Sequence, residues 1–121
     1  MALILIVDDS PVEQHVYSQA LEQKGYDTIV ANDGAEAVAV ARERIPDLII
    51  MDVVMPGMNG FQATRKLHKH PDTAAIPVII ISTKNQETDK IWALRQGAVE
   101  YLVKPVKPAA LVEAVEARLK A

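Results

Sequence analysis

Five short apolar runs punctuate the chain: Leu3 to Val7, Thr28 to Ala31, Leu48 to Met51, Val78 to Ile81 and Val99 to Val103. Each has the length of a strand and is mostly aliphatic or β-branched, without the alternation that marks a sheet wet on one face. Strands covered on both faces need helices above and below them, and the intervening segments supply the signals. Ser10-Pro11-Val12-Glu13 joins a capping serine, a proline at the first helical position and a glutamate three residues after the cap. Val12, Val16 and Ala20, with Tyr17 and Leu21, are expected to form the inward stripe of that helix, which Gly25 stops. Asp33-Gly34-Ala35-Glu36 starts a second helix, with Val38, Ala41 and Ile45 expected inward before Pro46. Asn59-Gly60-Phe61-Gln62 starts a third. Thr83-Lys84-Asn85-Gln86 is expected to cap a fourth that ends at Gly97, and Pro108 to open a fifth that buries Leu111, Val115 and Leu119 and ends at Ala121.

The alternation is that of an α/β fold, (βα)₅, in which right-handed crossovers wind a parallel sheet in both directions and ligands gather at the carboxyl ends of the strands. With 121 residues, half of them apolar, the chain has material for one core and reads as one domain over residues 1–121. Its 13 Lys and Arg against 16 Asp and Glu leave a net charge of −3, which provides no electrostatic footprint for nucleic acid or anionic lipid. There is no cysteine, so thiolate metal sites and disulfides are excluded. The apolar stretch Ala2 to Val7 is too short for a membrane span, lacks a basic flank and runs into Asp8 and Asp9. A cytoplasmic protein without membrane insertion is expected.

In a parallel sheet the residues just after each strand meet on one edge. Here they are Asp8 and Asp9, Asp52, Ser82 and Thr83, and Lys104. Carboxylates brought to about 4 Å repel by roughly 4 kcal/mol per pair at an effective dielectric near 20. Such a group needs counter-charge, and an all-oxygen acidic site is of the kind Mg²⁺ favours. A metal, a central carboxylate, a hydroxyl and a lysine also serve phosphoryl transfer, which is mainly positioning and charge neutralisation. Asp52 is the candidate nucleophile, because it alone follows the central strand and precedes the turn-rich Met55-Pro56-Gly57-Met58-Asn59-Gly60 loop. Any one of these acids taken alone reads as a helix cap or a solvated loop residue; the agreement of four strand ends carries the argument.

These residues resemble the receiver domain of bacterial response regulators, the CheY-like family. The matching stretches are Leu5 to Ser10, Met51 to Gly60, Ile81-Ser82-Thr83 and Gly97 to Pro105. The resemblance spans essentially the whole chain and implies a flavodoxin-like sheet of order 2-1-3-4-5 with helices on both faces. It implies Asp52 as the phosphorylation site, Asp9 and Asp8 as Mg²⁺ ligands, Val54 as a ligand through its backbone carbonyl, and Lys104 as the partner of the phosphoryl oxygens. The residues alone leave Ser82 and Thr83 as alternatives for the switch hydroxyl; the family's spacing to the lysine selects Ser82 and leaves Thr83 free to cap. Tyr101 matches the aromatic switch, and Lys104-Pro105 the family's cis peptide.

The resemblance further implies a histidine kinase as phosphodonor, a protein target, and a monomer or weak dimer. It implies a signalling module that catalyses only its own phosphorylation and dephosphorylation, and no conventional enzyme. The stretches Gly60 to Arg65, Thr83 to Trp92 and Arg95-Gln96-Gly97 resemble single-domain regulators of the type IV pilus chemosensory system, which implies a part in twitching motility. A receiver that drains a kinase as a phosphate sink, without an output target, is the alternative. A flavodoxin-like FMN binder is a weaker one, since Asp8 and Asp9 would repel its phosphate. Val54 and Lys84 flank the expected path of attacking water and are poorly suited to orient it, so phosphate loss is expected to be slow to moderate.

His15, His68 and His70 have no partner at metal-ligand spacing and read as solvated surface. Arg65, Lys66, His68, Lys69 and His70 complement the dipole at the end of the third helix. Trp92 suits equally a partner surface with Tyr101 or a place in the core.

Overall fold

The computed structural model describes residues 2–120. Strands β1 (Leu3–Val7), β2 (Asp27–Ala31), β3 (Leu48–Asp52), β4 (Val78–Ser82) and β5 (Glu100–Val103) alternate with helices α1 (Pro11–Glu22), α2 (Gly34–Arg44), α3 (Gly60–Lys69), α4 (Glu87–Arg95) and α5 (Pro108–Leu119). The strands form one sheet in the order β2-β1-β3-β4-β5. Every pairing is parallel. This is the doubly wound flavodoxin-like arrangement expected from the sequence. Helix α5 ends at Leu119, and Ala121 lies outside the described residues.

The two-residue period of a strand divides each central run between two cores. Leu5 and Val7, Ile49 and Met51, and Val78 and Ile80 face one side, where Ala37 and Ala41 of α2, Ala63 and Leu67 of α3 and Ala93 of α4 close over them. Ile4 and Ile6, Leu48 and Ile50, and Ile79 and Ile81 face the other, against Tyr17 and Leu21 of α1 and Leu111, Val112 and Val115 of α5. Full two-sided burial holds for β3 and β4, and for β1 after its first residue. The outer strands β2 and β5 are only partly covered, as befits sheet edges, although their sequences are also apolar.

Three expected inward residues point outward. Val12 is 72% exposed and Val16 is also exposed, because α1 packs through Tyr17 and Leu21, on a neighbouring stripe. Ile45 lies past the end of α2 as its left-handed cap, at φ 44°, and is exposed, so Ala37 and Ala41 do the packing. The start of α4 also differs: its cap is Gln86, not Thr83, and Asp89 Oδ2 accepts the Gln86 N–H at 3.1 Å. Thr83 is exposed in the loop before it. The third helix has the full reciprocal box, with Asn59 Oδ1 accepting from Gln62 N–H at 2.9 Å and Gln62 Oε1 from Asn59 N–H at 3.0 Å. Among the described residues no helix is long and apolar enough to cross a membrane.

Candidate functional site

The parallel sheet brings the ends of β1, β3, β4 and β5 to one edge. Asp8 follows β1, Asp52 and Ser82 are the last residues of β3 and β4, and Lys104 follows β5. Asp8 and Asp52 are buried, whereas Asp9 is exposed. Carboxylate oxygens of Asp8, Asp9 and Asp52 lie within 4.8 Å of one another. Lys104 Nζ stands 3.3 Å from Asp8 Oδ2 and 3.3 Å from Asp52 Oδ1.

Backbone donors hold both buried acids in place. Asp8 Oδ1 accepts the Ser10 N–H and Asp52 Oδ1 the Val53 N–H, each at 2.9 Å. On the first loop, Gln14 Nε2 donates to the Asp8 carbonyl at 2.5 Å and to Asn32 Oδ1 at 2.9 Å, tying α1 to the end of β2. Behind Asp52, a Cβ on Gly60 would lie 2.0 Å from the Asp52 carbonyl oxygen. Only glycine lets α3 begin so close to the end of β3.

One ammonium does not balance this much negative charge. Burial pushes the Asp8 carboxyl up to about 6; the Asp52 charge adds to this, and the Ser10 N–H and Lys104 oppose it. Burial also raises Asp52, against the pull of Lys104 and the Val53 N–H. For Lys104, burial disfavours the charge, but Glu13, Asp52 and Asp8 outweigh it and the net direction is upward. Two buried carboxyls held above their ordinary range beside an exposed third are short of a cation. Their all-oxygen donors fit a hard divalent ion such as Mg²⁺.

Glu13 is the residue that sequence reasoning misassigned. Its backbone N–H is capped by Ser10 Oγ at 3.4 Å, but its side chain turns to Lys104 Nζ at 2.7 Å, a shorter contact than either aspartate makes. The signal was available. Side chains in the first turn of a helix lean toward its N-terminus, here toward Asp8 and Asp9.

Ser82 is fully buried, and its Oγ accepts the Lys84 N–H at 3.1 Å. The Tyr101 hydroxyl donates to the Lys84 carbonyl at 2.6 Å, and burial raises its phenol. Both groups named as switch candidates thus converge on one residue of the β4–α4 loop. Val54, two residues after Asp52, is 60% exposed, and Lys104-Pro105 is cis. Trp92, with Ile91 and Leu94, is exposed on α4 and does not belong to the core. A groove of about 650 Å³ lined by Gly57, Met58, Gln62, Arg65, Lys66 and Lys69 contains none of the clustered residues. The carboxylates therefore meet outside it.

Residues 4–116 match the response regulator receiver domain, and the chain belongs to that family. It is 54% identical over 119 residues to Protein PilH of Pseudomonas aeruginosa, covering 98% of each chain. It is 38% identical over 117 residues to the DNA-binding response regulator MtrA of Mycolicibacterium smegmatis, covering 97% of this chain and 50% of that one. The chain thus spans about half the length of that relative. Among solved structures, the chemotaxis protein CheY4 of Vibrio cholerae superposes with a TM-score of 0.92 at 33% identity, covering 97% of this chain and 98% of that one.

Proposed function

We propose that residues 1–121 act as one cytoplasmic phosphorelay domain that takes a phosphoryl group from a histidine kinase on Asp52. The observation that carries this reading is the meeting of Asp8, Asp9 and Asp52 carboxylates within 4.8 Å. Lys104 lies against two of them. An Asp52 carboxylate oxygen attacks the donor phosphorus in line, the P–N bond of the phosphohistidine breaks, and its electron pair leaves with the imidazole. Asp8, Asp9, Asp52 and the Val54 carbonyl are the groups that would hold Mg²⁺. Bound there, Mg²⁺ supplies positive charge to the phosphoryl oxygens and relieves the crowding of carboxylates. Lys104 donates to a phosphoryl oxygen, and Ser82 Oγ leaves the Lys84 N–H to donate to another.

That movement gives the domain two states, biased by phosphoryl contacts. Ser82 and Tyr101 hold the same loop residue, so the change at Asp52 reaches the surface of the β4–α4 loop and α4, where a protein target is read out. Its similarity to PilH along nearly its whole length supports a place in type IV pilus chemosensory signalling, and so in twitching motility.

The test is incubation with acetyl phosphate, with and without Mg²⁺, of the parent and Asp52→Asn, followed by intact-mass spectrometry. One added phosphoryl group is expected in the parent with Mg²⁺ and none in the variant. Equal labelling of both would move the acceptor elsewhere.

A further inference from the structure

Three carboxylates surround the Lys104 ammonium: it donates to Glu13 Oε2 at 2.7 Å and to Asp8 Oδ2 at 3.3 Å, and Asp52 Oδ1 stands 3.3 Å away. A phosphoryl oxygen arriving at this amine has to compete with the carboxylates already around it, and one of them gives way. Asp8 and Asp52 are poor candidates. Their side chains are 3% and 8% exposed, each is fixed by a backbone N–H, and both belong to the carboxylate cluster. Glu13 is different in each respect. Its side chain is 34% exposed, it is not one of the three clustered carboxylates although it stands close enough to Asp8 to raise that carboxyl, and rotation away from the amine returns it to water.

Building on the reading of Asp52 as phosphoacceptor, we infer that Glu13 is a positioning residue: its carboxylate competes with the phosphoryl group for Lys104 and so sets how tightly the site holds phosphorus. In the empty site Glu13 neutralises and orients the amine. In the occupied site it must be displaced, and the free energy of the lost pair is subtracted from phosphoryl binding. Charge-assisted contacts of this kind, partly exposed, are worth little enough to be broken and enough to be measured.

Beryllofluoride, a stable phosphoryl mimic, separates the possibilities when titrated with Mg²⁺ present and followed by fluorine NMR. Glu13→Gln keeps the shape and removes the charge, and is expected to tighten beryllofluoride binding roughly three- to tenfold. Glu13→Asp keeps the charge but draws the carboxylate back by one methylene, and is expected to fall between the parent and the glutamine variant. Tighter binding by Glu13→Gln with Glu13→Asp equal to the parent would indicate general repulsion and overturn the competition. An unchanged affinity in Glu13→Gln, with the parent binding normally, overturns the inference alone. A parent that binds no beryllofluoride overturns the phosphoacceptor reading and this inference with it.

Discussion

The Lys104 ammonium reaches across the end of β4 to stand 3.3 Å from Asp52 Oδ1, so the fifth strand neutralises the third. The pair is nearly dry, with side-chain exposures of 12% and 8%. Removing one member of a buried pair leaves the other charge uncompensated. Lys104→Met is expected to lose about 2 kcal/mol in metal-free buffer at pH 7.5, the loss being limited because the carboxyls can take up protons instead. Mg²⁺ should restore more stability to this variant than it adds to the parent. Urea unfolding in EDTA and in Mg²⁺ measures both, and equal metal-free stability of the two proteins would contradict the electrostatic account.

The Asp8 carboxyl makes the opposite contribution. Its value of about 6 lies above the ordinary 3.8, so the folded chain binds more protons than the unfolded chain between those values. Stability from this group is therefore fully present below about pH 4 and is lost as the pH rises through 6. Asp8→Asn removes the burden and should stabilise the metal-free protein at pH 7.5 by on the order of 1–3 kcal/mol, and by about a third as much at pH 4.5. It should also reduce the stabilisation by Mg²⁺. Denaturant midpoints at the two pH values decide the matter; a gain of the same size at both would point away from ionisation.

Glycine at position 60 is dictated by contact, and at position 57 by backbone angle. A methyl group on Gly60 would meet the Asp52 carbonyl oxygen at 2.0 Å, whereas one on Gly57 would meet nothing within 4 Å but sit at φ +71°. Overpacking against rigid backbone costs about 1–3 kcal/mol, and the left-handed angle about 1 kcal/mol. Gly60→Ala should therefore destabilise more than Gly57→Ala in urea melts. Gly60→Ala should also slow phosphorylation by acetyl phosphate, because the strain falls on the peptide that carries Asp52.

The features legible in the sequence are those for which one physical effect dominates. Leu48 to Met51 and Val78 to Ile81 could only be two-sided strands, and their order along the chain placed Asp8, Asp52 and Lys104 on one edge. Where two effects competed, the letters were ambiguous. Val12 and Val16 lie beside Tyr17 and Leu21 on adjacent stripes of α1, and only the packing against α5 and the sheet selects the second pair. Glu13 satisfies the pattern of a helix-capping box, but a cation just past the end of β5, over 90 residues away, takes its carboxylate from the cap. Thr83 is the better cap by residue type, but Ser82 already holds the next loop N–H, and the helix starts later, at Gln86.

Lys84 is held at both ends of its own residue, its N–H by Ser82 Oγ at 3.1 Å and its carbonyl by the Tyr101 hydroxyl at 2.6 Å. If Ser82 is drawn to a phosphoryl oxygen, the N–H is released while the carbonyl tether remains. Tyr101→Phe removes only the second restraint, and Ser82→Ala only the first. A hydrogen bond of this kind contributes roughly 1 kcal/mol, so each variant should speed hydrogen exchange of amides 84–87 by about fivefold, and the double variant by more. Beryllofluoride added to the parent should reproduce the Ser82→Ala pattern at the Lys84 amide, since the phosphoryl mimic takes the same hydroxyl. Added to Ser82→Ala, it should change exchange there far less. An equal beryllofluoride response in the parent and Ser82→Ala would mean that the loop answers Asp52 by a route that bypasses the buried hydroxyl.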